Sequence, residues 1–161
     1  MLVPVTALMM ASCSQTDDMQ KKICGTWETY SSTTYSRESG EVTHPEAPFD
    51  EKFKWKLIIK DNNSITVPAP NEYSEEVSTT YKLYLSSEAL EKELIRKSHL
   101  RKAAGYKKDG NEDPYILITD EKIVGEKKFQ IVRCTKDTLV IRYLSDDFLL
   151  SGVLENKFVR R

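Results

Sequence analysis

Apolar side chains recur at every second position along most of the chain, and at helical spacing along one stretch. From Glu51 to Lys60, Phe53, Trp55, Leu57 and Ile59 alternate with Lys52, Lys54, Lys56 and Ile58. Period two with a lysine-rich opposite face predicts a strand buried on one side. Asp61-Asn62-Asn63-Ser64 predicts a turn. Ile65-Thr66-Val67 then begins a return strand that Pro68 and Pro70 end. From Glu75 to Leu85 the alternation resumes, with Val77, Thr79, Tyr81, Leu83 and Leu85 sharing a face. Earlier, Cys24 to Tyr35 is rich in Thr, Tyr and Trp and predicts the first strand. Trp27, Thr29 and Ser31 fall on one of its faces; Glu28, Tyr30 and Ser32 fall on the other. Ser36 to Asp50 carries two prolines, a glycine and several acids, and predicts a long loop.

The period changes once. Ser86-Ser87 can cap a helix with Glu88 in its first turn. Glu88 to Ala104 is rich in helix formers, and Gly105 can end it. Leu90, Leu94 and Ile95 make a narrow apolar stripe, which predicts a helix lying on the outside or across one end of the fold. After a loop from Lys107 to Pro114 the strands return. They are Tyr115 to Thr119, a short Ile123-Val124, Lys128 to Cys134, Thr138 to Leu144, and Ser151 to Arg160. Thr135-Lys136-Asp137 makes the tightest connection among them. The expectation is an all-β, mainly antiparallel fold of about eight strands with one inserted helix. Short strands joined by turns favour a sandwich or barrel over a parallel sheet.

Length allows one ordinary domain, at 161 residues. A net charge of -1 gives no basic field to hold nucleic acid, so no such partner is expected.

The first residues read differently. Met1 to Cys13 is an apolar run, then two small residues, then a cysteine. It is too short to span a bilayer and has the form of a signal-peptide core. Met10-Ala11-Ser12-Cys13 resembles the lipobox of bacterial lipoproteins. The resemblance implies a diacylglyceryl group on Cys13, cleavage before it, and a membrane anchor. The family prefers Leu where Met10 stands. The basic n-region is missing too, so a natural start upstream of Met1 is expected. Residues 13–22 are polar and aperiodic and predict a flexible tether. The acidic pair Asp17-Asp18 resembles a surface-export tag of some Gram-negative lipoproteins, and Ser14 suits the outer membrane. The competing reading is an apolar N-terminal strand with Cys13 buried. Cys24 and Cys134 then form an even pair that could bridge in an oxidising compartment. Two unpaired, buried thiols are the preferred alternative.

Gly25-Thr26-Trp27 on the first strand resembles the G-x-W motif of lipocalins and of shorter bacterial lipocalin-like lipoproteins. Phe158-Val159-Arg160 resembles the aromatic-x-Arg ending of those bacterial members, and Phe129 to Ile141 resembles their late hairpin. The resemblance implies an up-and-down barrel over residues 23–161, behind a signal peptide (1–12) and the tether. It implies that Gly25 allows close backbone approach, that Trp27 fills the closed end, and that Arg160 lies across the indole. The helix after Ser87 departs from the family, which places its helix before the last strand.

Little here suggests catalysis. His44 and His99 are the only histidines, and neither sits in a metal-ligand spacing. No nucleophile elbow, P-loop or dinucleotide fingerprint occurs. The acid pairs Glu75-Glu76 and Asp146-Asp147 read as solvent charge. No enzyme activity, metal or cofactor is expected. Of three readings an enzyme is the least favoured, and two binding functions lead. One is a lipid-anchored barrel holding a small apolar or amphipathic ligand, lined by Phe53, Trp55, Leu57, Tyr81, Leu83, Ile131, Ile141 and Tyr143. The bulk of that set leaves a filled core as its rival. The other is a module that binds an envelope protein or inhibits an enzyme through its loops.

Overall fold

The computed structural model of the protein describes residues 6–36, 39–68, 75–86, 89–90, 114–118, 127–144 and 152–161. Helix α1 (Thr6–Ile23) leads into β1 (Gly25–Ser36) and β2 (Val42–Pro48). A single 3-10 turn (Glu51–Phe53) precedes β3 (Lys56–Ile59). Then come β4 (Ser64–Pro68), β5 (Glu76–Tyr84), β6 (Tyr115–Ile118), β7 (Lys127–Cys134), β8 (Thr138–Leu144) and β9 (Gly152–Arg160). From β3 onward each strand pairs antiparallel with the next in sequence, and β9 pairs back onto β1. Eight strands therefore close into an up-and-down antiparallel barrel, with β2 as an extra strand. Closure gives each of the eight a partner on both sides, although β3 covers only the first half of β1.

β1 is long enough to serve three neighbours. Its first half pairs with β3, from Gly25 opposite Ile59 to Glu28 opposite Lys56. Its second half pairs with β2, and its other edge runs along β9 from Trp27–Arg160 to Ser36–Gly152. The register against β9 slips between Thr29 and Ser31, a β-bulge at Tyr30. One extra residue reverses the alternation beyond it. Ser31 and Thr33 therefore share the outer wall with Glu155 and Lys157, whereas Ser32 and Thr34 join the interior with Asn156. Strict alternation from Trp27 puts Ser31 on the tryptophan face, and the bulge corrects that.

Three further expectations differ from the structure. The loop expected over Ser36 to Asp50 contains β2, which is exposed at every residue. Backbone pairing with β1 outweighs the poor strand propensity of its prolines, which are tolerated at an edge. The strand expected from Glu51 begins only at Lys56. Asp50 accepts from Lys52 N at 3.1 Å and caps the 3-10 turn, and Lys54 Nζ meets Glu51 at 2.5 Å. This local bonding competes with the sheet. Phe53 in that turn is 63% exposed. The segment expected as a tether is the second half of α1. Ile23 is fully buried and Met19 packs on the core. Gln20 Nε2 donates to Asp61 O at 2.6 Å and Asn63 Oδ1 at 2.9 Å. No described helix is long and apolar enough to cross a membrane.

The expected turn after β3 is present. Asn63 takes a left-handed φ of 61°, and Asn62 Oδ1 accepts from Ser64 N at 3.1 Å. The main core fills the barrel with Trp27, Leu57, Ile65, Ile118, Ile141, Phe158 and their neighbours. β6 is buried on both faces. Ile116 and Ile118 belong to the interior, and Tyr115 and Leu117 cluster with Leu90 outside it. Ala89 and Leu90 are helical. The rest of the expected helix to Ala104, His99, the strand at Ile123-Val124 and the pair Asp146-Asp147 lie outside the described residues.

Candidate functional site

The end of the barrel nearest α1 is plugged. Trp27 is fully buried, and its Nε1 donates to Ile23 O at 2.7 Å. The Arg160 guanidinium carbon stands 4.2 Å from the indole centroid. Its three nitrogens are all used: Nη1 donates to Cys24 O at 2.8 Å, Nη2 to Lys22 O at 3.0 Å, and Nε to Lys136 O at 2.6 Å. Lys22 and Cys24 flank the C-terminus of α1. A cation there satisfies carbonyls that the helix leaves open and opposes the negative end of its dipole. One side chain thus joins the helix end, the first strand, and the turn between β7 and β8. Gly25 makes this approach possible. Its φ is 149°, and a Cβ would overlap Arg160 Nη1.

Two thiols border the plug. Cys24 and Cys134 are both free, and Cys134 Sγ lies 3.5 Å from Lys22 O. Burial raises both thiol pKa values; Asp61 adds to the effect at Cys24. Neither is poised as a nucleophile. Burial, and then the neighbouring Cys24, push the Tyr81 hydroxyl up to about 12. That hydroxyl donates to Lys60 O at 3.2 Å.

The residues expected to line a cavity divide into three. Leu57, Tyr81, Ile131 and Ile141 are buried in the main core, against one another and their neighbours. Trp55, Leu83 and Tyr143 are half-buried at its margin. Trp55 meets Phe158 edge-on at 5.0 Å, and its backbone is tied to Thr29 on β1. Phe53 is outside.

The opposite end is the mouth. Its inner wall carries Ser32 and Thr34 on β1, Leu154 and Asn156 on β9, Ile141 and Tyr143 on β8, and Phe129 on β7. Phe129 and Tyr143 pack with centroids 5.6 Å apart. Leu154 pairs with Tyr143 on the same inward register and is 37% exposed. Asn156 is only 7% exposed, and its Oδ1 has no hydrogen-bond partner among the described residues. A buried acceptor left unpaired costs about 1–3 kcal/mol. The sequence analysis did not single out Asn156. Its signal was available: Asn156 lies two residues from inward Phe158 in a strand, so an amide falls on the core face.

A concavity of ≈ 180 Å³ lies on the outer wall, between Ser31, Thr33, Glu46, Arg133, Thr138, Val140, Glu155 and Lys157. Its charges are largely matched. Lys157 Nζ is 3.5 Å from Glu46, and Arg142 Nε bonds Glu155 at 2.6 Å. Ser31 Oγ donates to Glu46 at 2.5 Å, and this contact leads the lowering of that carboxyl's pKa. Tyr35 donates to Glu155 at 3.2 Å, and burial raises its own pKa. No imidazole stands between Ser31 and Glu46, as a nucleophile–base relay would need. His44 is exposed on β2. Among the described residues no group of three or more His, Cys, Asp or Glu could hold a metal ion.

Comparison with family models, with curated proteins and with solved structures finds no match to this chain.

Proposed function

We propose that this is a lipid-anchored protein of a bacterial envelope whose barrel, plugged at one end, takes up a small amphipathic molecule through the other. The observation that carries the binding reading is Asn156. A polar amide on a largely apolar inner wall, its oxygen without a partner among the described residues, is the mixed lining that a mostly apolar ligand with one polar group requires. The run Met10-Ala11-Ser12-Cys13 supports the anchor. With lipid on Cys13, the ten helical residues to Ile23 would span roughly 15 Å. The plugged end would then face the bilayer and the mouth would face away from it.

Two experiments test this. In a Gram-negative host the wild-type chain should fractionate with membranes and incorporate labelled palmitate. Cys13→Ser should do neither, and unchanged partitioning would remove the anchor. Native mass spectrometry of the Cys13→Ser chain should show a co-purified small molecule, and Leu154→Trp at the mouth should reduce its occupancy. A protein partner is favoured by a different observation: β2 is wholly exposed and pairs with β1 alone among the described strands. An apo mass together with an envelope protein captured through β2 would support that function instead.

A further inference from the structure

We propose that the concavity on the outer wall binds a small monocarboxylate over Val140, with Arg133 and Lys157 as the cations that hold it. This site is separate from the barrel interior and does not depend on what the interior holds. Two β-bulges build it. The one at Tyr30 turns Ser31 and Thr33 onto the outer wall. A second falls at Val132 on β7, where the register against β8 slips between Ile131 and Arg133. Strict alternation from buried Ile131 would put Arg133 inside. The extra residue places Arg133 outside instead and returns Cys134 to the core, opposite buried Leu139. Both irregularities re-aim side chains into one concavity of ≈ 180 Å³, a use that bulges often have beside binding sites.

Register then aligns the groups. Arg133 is opposite Val140, Val140 opposite Lys157, and Lys157 opposite Ser31. The Cα atoms of Arg133 and Lys157 therefore stand roughly 10 Å apart, two strand spacings, with Val140 between them. Glu155 in the neighbouring row is already bonded by Arg142 at 2.6 Å. Glu46 answers Lys157, whose Nζ lies 3.5 Å away and keeps donors to spare. Arg133 is the surplus charge: it is exposed and has no ion pair or hydrogen bond among the described residues. Its planar fork matches a carboxylate bidentately, and the ligand's apolar body would cover Val140. Thr33 and Thr138 bring hydroxyls to the same concavity. Glu46 and Glu155 line it too, so a dianion meets repulsion that a single charge largely avoids. The ligand class is therefore a small aromatic or branched aliphatic monocarboxylic acid.

The test is an amide NMR titration of the full-length Cys13→Ser chain at neutral pH with benzoate, its neutral counterpart benzamide, and inorganic phosphate. Benzoate should perturb the amides of Arg133, Val140 and Lys157, and should bind about tenfold tighter than either of the other probes. Arg133→Gln changes an exposed side chain and should lower benzoate binding to the level of benzamide. Lys157→Gln should weaken it by about threefold. Equal binding of benzoate and benzamide to the wild type overturns the proposal, as does benzoate binding that Arg133→Gln leaves unchanged. Phosphate binding as tight as benzoate overturns the carboxylate class. Perturbed amides confined to inward residues such as Ile131 and Ile141 would overturn this site and leave a binding barrel standing. If Arg133→Gln does not fold, the wild-type ratios and the perturbed amides decide.

Discussion

At the scale of the residue, the plug depends on Gly25 and Arg160. Gly25→Ala meets two obstacles, a backbone angle that side chains rarely adopt and the guanidinium beside it. It should destabilise the fold by about 2–4 kcal/mol in urea unfolding followed by tryptophan fluorescence. Arg160→Ala loses the contact with Trp27 and three hydrogen bonds to backbone carbonyls, about 2–4 kcal/mol. Arg160→Lys should recover less than half of that, because one ammonium cannot reach three divergent carbonyls while covering the ring. Tyr81 sets a pH limit. Its hydroxyl titrates at about 12 in the fold against 10.0 ordinarily. The native state therefore keeps a proton that the unfolded chain releases. This contribution to stability is fully present below pH 10 and is lost as pH rises toward 12. Tyr81→Phe should flatten the decline of stability over that window. The raised thiol pKa values of Cys24 and Cys134 act in the same sense from a lower pH. At pH 8 both should react with a thiol reagent far more slowly in the native protein than in urea.

At the scale of the element, α1 and β1 illustrate two different decisions. α1 is polar through most of its described second half and would be marginal alone in water. Ile23 and Met19 dock its end into the barrel, and Arg160 caps it. Ile23→Ala should therefore cost about 2–4 kcal/mol and remove hydrogen-exchange protection from the last turn of α1 before any strand opens. β1 is the longest strand, and the bulge at Tyr30 lets it bend from the plug to the mouth. That bulge swaps the destinations of Ser31 and Ser32. It turns Ser31 toward Glu46 on the outer wall and leaves Ser32 beside Asn156. β2 exists because half of β1 would otherwise present an open edge beyond the short β3.

At the scale of the whole molecule, closure links the two ends of the chain. Arg161 pairs with Glu28, 133 residues away, and this contact leads the lowering of the Glu28 carboxyl's pKa. Contacts of such separation must be made late, after most chain entropy has been lost, so folding should be slow for a domain of this length. Removing Phe158 to Arg161 takes away the buried ring beside Trp55, the cover of Trp27 and the end of the β1–β9 seam. That truncation should abolish cooperative unfolding and shift Trp27 emission to the red. A cooperative transition in the truncated chain would show that the barrel does not need its seam. The fold was legible because its signals are local and repeated. Alternation in β3 to β5 and in β7 to β9, turn chemistry at Asn62-Asn63, and the bracketing by Trp27 and Arg160 all point to one closed antiparallel sheet. Residues 24–35 were read as the first strand and Gly25–Ser36 is observed. The site was less legible. Whether an inward side chain is packed or open depends on neighbours distant in sequence. Tyr81 is packed in the core, Leu154 is exposed although its register is inward, and Phe53 continued an alternating pattern while lying outside the sheet. The identity of each residue determined its strand, its turn and its preference for water. The register across the seam, the bulge, the strand made from prolines and the unpaired amide of Asn156 were decided only when the ends met, because each depends on a neighbour brought in by closure.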